Sequence, residues 1–533
     1  MVFPRRGCVT CKTRRIKCDS VHPVCGRCQK ASRACEWDQN EEAGWLFKNE
    51  NAFAQGKPRR PWKPKPQVSR PESEEDLTVL LISSSVATEE IALRFWFDNY
   101  VFKNDEIPEF AQDYRCLLTP YRDTAQHSLY LRTVISAFSH VVFGRVMQSD
   151  ESLEEAERLF TQSIMSMQSE IRQLSQSNID ELLLVTMLMA DCEVRSGNPK
   201  PLTNRGLIYP YYKNIMNRGW NHHEQDEAAL LELDVTGSKI WKNNHYYDEA
   251  MDLLRKRQKS SWTPNISLDR VVRRRLIQVC ILRGISVPEW LQDGAQFGEE
   301  GLILALDSIM VRVAALRERS LCLFLPKSAR FSSQPRPGDI AAEARVLDAA
   351  LESWSATLPE DWKFTLLSVF APDFTLDGII HVYATHGHAA VWCRYHAIRL
   401  VVNSICRRAL FVMAQCSSQM LSVVPEQDEC LRKMASLGAD FCRSVPAVLS
   451  PTSTEGYSTT PQQSEINDNP SHSNQGVMPK LAILLAWPLI LAVNTDGIPE
   501  TQKEWLEDKL KLVVCALGDA TLETVLKQNE LKF

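Results

Sequence analysis

The sequence predicts a very small cysteine-rich domain at the N-terminus, a flexible linker, and then a large all-α domain. Three observations lead to this fold class. Six of the 16 cysteines lie within residues 8–35. Residues 39–75 are polar, charged and rich in proline, so they cannot bury enough apolar surface to pack. From residue 76 onward, apolar residues recur at three- and four-residue spacing, which is typical of helices.

The six N-terminal cysteines repeat one unit. They follow the pattern C-x2-C-x6-C-x6-C-x2-C-x6-C, at Cys8, Cys11, Cys18, Cys25, Cys28 and Cys35. A C-x2-C pair lets two thiolates from one turn reach the same ion, which suits tetrahedral zinc. One zinc needs only four thiolates and leaves Cys18 and Cys35 without a role. Two zincs need eight ligand positions, which six thiolates supply if two of them bridge, so the repeat favours a binuclear cluster with two Zn²⁺ per chain.

The segment GCVTCKTRRIKCDSVHPVCGRCQKASRAC resembles the fungal zinc-cluster family, the Zn(2)-Cys(6) binuclear DNA-binding domain. The resemblance implies that this domain covers residues 1–38 and that Cys8 and Cys25 are the bridging thiolates. The competing interpretations are disulfides and a single-zinc ribbon. Disulfides need an oxidising compartment, and residues 1–6 lead into the cysteines without the apolar segment of an export signal.

Four basic residues lie between the second and third cysteines. They are Lys12, Arg14, Arg15 and Lys17. The resemblance implies that a first helix enters the major groove of DNA and reads a CGG-type triplet. Arg14 and Arg15 then match the base-contacting positions, where arginine can bind guanine through two hydrogen bonds, and Lys12 and Lys17 match the phosphate-contacting positions. The alternative is a solvated counter-charge, since two zincs and six thiolates together carry about −2.

The net charge of −5 hides an asymmetry between the two ends of the chain. Residues 1–70 hold 16 Lys and Arg against 6 Asp and Glu, whereas the remainder holds 45 against 60. A basic N-terminal segment followed by an acidic remainder indicates that the N-terminal segment binds a polyanion, here double-stranded DNA. The acidic body is compatible with recruiting a coactivator.

The linker, residues 39–75, contains a basic run interleaved with prolines. The run consists of Lys57, Arg59, Arg60, Lys63 and Lys65. Such runs are typical of nuclear localisation signals or of additional phosphate contacts, and a merely solvated linker is the alternative. No apolar heptad repeat is sustained after the cysteines. The sequence therefore leaves open a monomer that binds one triplet and a homodimer formed through the helical body.

Residues 76–533 are predicted to form an all-helical regulatory domain, with a disordered loop at 450–478. The predicted helices are 88–101, 127–147, 150–174, 179–195, 268–284, 301–321, 340–357, 378–418, 426–448, 478–494 and 500–528. Period-two alternation is scarce, so no sheet is expected. The apolar run 481–493 is shorter than the roughly 20 residues of a membrane span, and Pro488 is expected to divide it into a buried helix pair. This body weakly resembles the helical regulatory region of the same family.

The body contains no recognisable catalytic motif. His386, His388, Cys393 and His396 lie close in sequence but lack the spacing of a zinc-hydrolase motif, so core and surface histidines are favoured over a second metal site.

The sequence leaves three candidate functions for the protein: a transcription factor, an interaction protein with a purely structural cluster, and an enzyme with an accessory cluster. The first is predicted, as a nuclear, zinc-dependent, sequence-specific activator of RNA polymerase II genes. A secondary-metabolite gene cluster is the expected target, with primary metabolism as the rival.

Overall fold

The protein is described by a computed structural model. It describes residues 8, 10–11, 18–19, 21, 23–35, 88–103, 106–122, 127–196, 245–324, 336–369, 374–416, 420–450 and 477–519. The chain divides into two compact units, Met1–Leu77 and Thr78–Phe533. In the first unit, the described residues include the short helix α1 at Gly26–Lys30, and Thr10 and Cys11 are also helical. The side chains of Cys8, Cys11, Cys25 and Cys28 are buried together.

The second unit is mostly helical. Its helices are α2 (88–100), α3 (Leu129–Met147), α4 (Asp150–Ile171), α5 (Ile179–Ser196), α6 (His245–Lys259), α7 (Ile266–Arg283), α8 (Glu289–Gln292), α9 (Gly301–Leu321), α10 (Pro337–Ala356), α11 (His386–Cys416), α12 (Met420–Leu449), α13 (Pro479–Val493) and α14 (Glu500–Leu517). Short 3-10 turns lie at Glu109–Ala111 and Tyr114–Arg122. The prediction of a large helical body is confirmed.

Local sequence explains where several helices begin and end. The side chains of Ser128, Ser149 and Asn265 accept hydrogen bonds from backbone N–H groups at the starts of α3, α4 and α7. These caps satisfy N–H groups that have no partner within the helix. At the other end of α7, Gly284 adopts φ +70°, a left-handed conformation that costs glycine little.

One continuous apolar core joins the helices from α2 to α14. Within it, α3 packs against α4 and α5, and α11 packs against α10, α12 and α13. The helix α6 was not predicted, although Tyr247, Ala250 and Leu254 repeat at helical spacing and are buried. Charged residues make up much of α6, which lowers its average hydrophobicity and hides this apolar face.

The expectation that the body has no sheet is wrong. Strand β1 (Thr365–Ser368) pairs antiparallel with β2 (Ile379–Val382), with Thr365 opposite Val382. The sequence analysis assigns residues 378–418 to one helix, whereas the structure separates β2 from α11. The β-branched residues at 379, 380 and 382 favour a strand, and Gly378 at φ +75° breaks any helix before it.

The expectation that Pro488 divides the apolar run into two helices is also wrong. The helix α13 continues through Pro488 and is buried along most of its length. A proline inside a helix removes one backbone hydrogen bond, and packing against α11, α12 and α14 holds this helix together. None of the helices that the structure describes has the length and apolarity needed to cross a membrane.

Buried polar contacts tie the helices of the body in specific places. Asp348 on α10 accepts hydrogen bonds from Arg399 (2.7 Å) and Asn403 (2.9 Å) on α11, and from Lys433 (3.0 Å) on α12. Burial raises the pKa of the Asp348 carboxyl, but the bonds from Arg399 and Lys433 outweigh that effect and lower it. The carboxylate thus stays charged and links three helices.

Candidate metal centre and nucleic-acid interface

The cysteine domain has two halves with matching contacts. The backbone N–H of Cys8 donates to the Cys18 sulfur at 3.4 Å, and the N–H of Cys25 donates to the Cys35 sulfur at 3.3 Å. In the same way, the N–H of Cys11 donates to Cys8 Sγ at 3.3 Å, and that of Cys28 donates to Cys25 Sγ at 3.4 Å. The sequence repeat of 17 residues is therefore also a structural repeat.

The six sulfurs form two groups of four. One group contains Cys8, Cys11, Cys18 and Cys25, and the other contains Cys8, Cys25, Cys28 and Cys35. Within each group the sulfurs lie within 4.8 Å of one another. Two sulfurs, those of Cys8 and Cys25, belong to both groups and are 3.7 Å apart.

These separations match the geometry of zinc thiolates. A Zn–S bond of about 2.3 Å in a tetrahedral site places neighbouring sulfurs about 3.8 Å apart. In the first group, Cys11 Sγ lies 3.6 Å from Cys25 Sγ, and Cys18 Sγ lies 3.9 Å from Cys8 Sγ. In the second group, Cys8 Sγ lies 3.7 Å from Cys28 Sγ. All of the donor atoms are sulfur, and they fit two zinc sites that have the sulfurs of Cys8 and Cys25 in common. The cofactor prediction of two Zn²⁺ is therefore confirmed.

The electrostatics of the two shared sulfurs differ from those of their neighbours. Burial and the surrounding thiols raise the pKa of Cys11, and they raise the pKa of Cys28 to about 12. Burial acts in the same direction at Cys8 and Cys25, but backbone N–H groups and neighbouring thiols lower their pKa values below the ordinary range. Local hydrogen bonds therefore favour thiolates at the two shared positions.

Sequence reasoning missed the residues that hold the two halves together. Asp19 accepts from the backbone N–H of Gly26 through both carboxylate oxygens, at 2.9 and 3.2 Å. A negative charge at this place also suits the N-terminus of α1. A side chain at position 26 would come within 2.5 Å of Asp19, which explains the glycine. Thr10 Oγ1 donates to the carbonyl of Ala34 at 3.0 Å and joins the first half to the second.

The predicted DNA-contacting residues, namely Lys12, Arg14, Arg15 and Lys17, lie outside the described residues. The same holds for the basic run Lys57, Arg59, Arg60, Lys63 and Lys65, for most of the linker and for most of the 450–478 loop. The 17-residue repeat nevertheless relates the segment 12–17 to 29–34, whose side chains are all exposed. That second segment holds only Lys30 and Arg33 as basic residues, so the positive charge is concentrated in the first half.

The histidines near the start of α11 do not converge on one point. His386 Nε2 pairs with the carbonyl of Ser450 at 2.9 Å, and His388 Nδ1 pairs with Thr385 Oγ1 at 2.8 Å. His396 is buried among Trp392 and other rings, and neither of its nitrogens has a hydrogen-bond partner in the described part of the chain. Within that part, the N-terminal cysteines form the only groups arranged to hold a metal ion.

Comparison with known proteins agrees with this geometry. The profile of the fungal Zn(2)-Cys(6) binuclear cluster domain matches residues 6–43. An uncharacterised transcriptional regulatory protein of Schizosaccharomyces pombe is 57% identical over 35 residues, which are 7% of each chain. The aspercryptin biosynthesis cluster-specific transcription regulator of Emericella nidulans is 53% identical over 32 residues, 6% of this chain and 5% of its own.

A third relative is the sorbicillinoid biosynthetic cluster transcription factor of Hypocrea jecorina. It is 46% identical over 37 residues, 7% of this chain and 6% of its own. The chain thus spans less than a tenth of the length of these three relatives. No solved structure matches the chain.

The cysteine geometry and the matched profile together define the class. Residues 6–43 are a fungal Zn(2)-Cys(6) binuclear cluster domain, and the predicted resemblance is confirmed. Through this domain the chain is similar to fungal transcription regulators. The match and the described sulfurs cover only the N-terminal unit, so the class rests on that unit.

Proposed function

We propose that the protein is a sequence-specific, zinc-dependent transcription factor that acts on RNA polymerase II genes in a fungal nucleus. The observation that carries this proposal is the pair of sulfur groups sharing Cys8 and Cys25, beside a strongly basic segment. We assign Cys8, Cys11, Cys18, Cys25, Cys28 and Cys35 as the zinc ligands. Domain limits of 1–38, 39–75 and 76–533 are part of the same proposal.

The base-reading surface is assigned to the segment between Cys11 and Cys18. The concentration of positive charge in this half supports the assignment, because the equivalent segment after Cys28 is exposed but far less basic. Arg14 and Arg15 would bind guanines of a CGG-type triplet, and Lys12 and Lys17 would bind phosphates. The basic run at residues 57–65 would direct nuclear import.

The target pathway is proposed from the relatives. Two of the relatives described above are named as regulators of biosynthetic gene clusters. We therefore propose a pathway-specific activator of a secondary-metabolite gene cluster. A regulator of primary metabolism is the second candidate.

The proposal is tested by mapping the tagged full-length protein across the genome and measuring its zinc content. Two zincs per chain with peaks centred on CGG-containing motifs support it, and the genes under those peaks identify the pathway. The spacing of the motifs distinguishes a monomer from a homodimer. Two zincs without sequence-specific peaks would instead indicate an interaction protein whose cluster is structural.

The shared-thiolate assignment has its own test. Cys18→Ala removes a ligand from one group only, yet it is expected to unfold residues 8–35, because the binding free energy of a structural metal is also folding free energy. DNA binding and both zincs should be lost together. A Cys18→Ala protein that keeps one zinc and still binds a CGG site would contradict the assignment.

A further inference from the structure

The helical body contains a cavity of about 110 Å³ between α7, α11, α13 and the 3-10 turns at residues 109–122. For comparison, an apolar cavity of roughly 150 Å³ admits benzene. Its apolar wall includes Leu484, Trp487 and Ile490 from α13 and Leu282 from α7. The space therefore suits a molecule of about six non-hydrogen atoms or fewer with an apolar portion.

Four guanidinium groups line the cavity, and three of them form ion pairs with carboxylates. Arg115 pairs with Asp113 at 2.5 Å and with Asp191. Arg275 pairs with Asp191 at 3.3 Å. Arg274 binds both carboxylate oxygens of Glu299, at 2.5 and 2.7 Å.

The fourth guanidinium, that of Arg394 on α11, has no hydrogen bond or ion pair with any residue that the structure describes. The carboxylates that act on it through space are Asp307 and Glu299. Asp307 already pairs with Arg273 at 3.2 Å, and Glu299 already pairs with Arg274. Arg394 is half-buried and lines the cavity, so its guanidinium is available to an anion bound there.

A second polar group in the cavity is also uncommitted. The backbone carbonyl of Gln278 accepts a bond from Trp487 Nε1 at 3.3 Å, but its side-chain amide has no partner among the described residues. An amide offers two donors and one acceptor, and Gln278 lines the same cavity as Arg394. Together the two side chains present donors to an oxyanion, and the apolar wall faces the remainder of the molecule.

We infer that this cavity is a binding site for a small organic monocarboxylate, held by Arg394 and Gln278. A guanidinium binds a carboxylate through two parallel hydrogen bonds, which are stronger than bonds between neutral groups. One free cation matches one negative charge. A dianion such as phosphate is disfavoured because Asp113, Asp191 and Asp519 also line the cavity. The site lies in the helical body, and its occupancy does not depend on the DNA-binding function.

The test uses the full-length protein with isobutyrate as the probe, isobutyramide as its neutral isostere, and inorganic phosphate as the alternative anion. Binding is measured by saturation-transfer NMR and by calorimetric titration. Isobutyrate should bind with a dissociation constant on the order of 1 mM or tighter, as its size allows. Isobutyramide and phosphate should bind at least about tenfold more weakly, because neither combines one negative charge with an apolar portion.

Arg394→Met should weaken isobutyrate binding at least about tenfold, since it removes a charge-assisted bidentate contact. Gln278→Leu carries no change in charge and should weaken binding by a smaller factor. The matched control is Arg312→Met, at an exposed position of α9, which should leave binding unchanged. Without ligand, Arg394→Met should still fold, because it breaks no hydrogen bond or ion pair with a residue that the structure describes.

Several results would overturn the inference. One is equal binding of isobutyrate and isobutyramide. Another is an unchanged affinity for isobutyrate in both Arg394→Met and Gln278→Leu. A third is the absence of isobutyrate binding by the wild-type protein at about 20 mM. Phosphate binding that depends on Arg394, without isobutyrate binding, would replace the monocarboxylate with an inorganic oxyanion and so refute the proposed ligand class.

Discussion

The two units of the protein are stabilised in opposite ways. In the N-terminal unit, the buried side chains among the described residues are cysteines, and the sulfurs take the place of a hydrophobic core. In the helical unit, one apolar core joins helices from α2 to α14. A domain of about 40 residues cannot bury enough apolar surface to fold alone, so a metal must supply the missing free energy. The stability of one unit therefore depends on zinc and that of the other on burial.

The largest expected effect follows from removing the metal. Chelation of zinc at neutral pH should unfold residues 8–35 and abolish DNA binding, because structural zinc contributes about 10–16 kcal/mol. The helical signal in circular dichroism should change little, since α1 has only five residues. The check is a chelator titration followed by both circular dichroism and binding to a CGG-containing duplex. Melting of the helical body at the same chelator concentration would contradict the separation of the two units.

The next effect concerns the helical unit alone. Asp348→Ala should destabilise the body by about 3–5 kcal/mol, because it removes the carboxylate that bonds the buried guanidinium of Arg399 at 2.7 Å and leaves only the longer pair with Glu352 at 4.0 Å. Zinc content and the affinity for DNA should stay unchanged. Urea unfolding monitored by circular dichroism measures the loss. The matched control is Asp508→Ala, which breaks an exposed ion pair with Lys511 and should cost less than about 1 kcal/mol.

A smaller effect should distinguish the two halves of the cluster. Arg15→Ala should keep both zincs but lose about 1–3 kcal/mol of discrimination between a CGG site and a scrambled site. Arg33→Ala changes an exposed arginine in the less basic half and serves as the control. Competitive binding assays with the two duplexes measure the difference. Equal losses in both variants would mean that charge alone, and not one reading face, governs binding.

An effect of similar size is a pH dependence confined to the body. Burial, and to a lesser extent Arg443, lower the pKa of His381 to about 4, although Asp377 acts in the other direction. Burial also lowers the pKa of His396, with His381 and Arg399 adding to the effect. The unfolded chain then binds more protons than the folded chain below the ordinary histidine pKa of 6.5. The stability that these two histidines contribute is complete above that pH and declines as the pH falls toward 4.

His381 alone should lower the free energy of unfolding by about 2 kcal/mol between pH 7 and pH 5. Urea unfolding at pH 7, 6 and 5 measures this slope. His396→Leu should reduce the slope, since it removes a second buried titrating ring, whereas His245→Leu at an exposed position should not. A slope that is unchanged by His396→Leu would show that this ring is not protonated on unfolding in that range.

The helix boundaries and the contacts within the cysteine domain show how much of the fold sequence patterns can predict. Helices such as α3, α5 and α9 were predicted within two residues, because each has a long apolar pattern or a clear cap. Asp19 and Gly26 were missed, although an acidic residue after the third cysteine and a glycine after the fourth were visible. Their role depends on a contact between two residues seven positions apart, across the loop that precedes α1. Helix and strand patterns do not predict a contact of this kind.

The cysteine spacing by itself predicted the metal and its stoichiometry, because metal ligation depends on residue type and on short distances along the chain. The resemblance carried by the same residues predicted the class of the protein. The tertiary structure alone decided that Ile379–Val382 is a strand, that Asp348 joins three helices, and that Arg394 faces a cavity without a partner. The physical reason is the same in each case. Pairing and burial depend on which residues from distant segments meet, and no local pattern encodes that meeting.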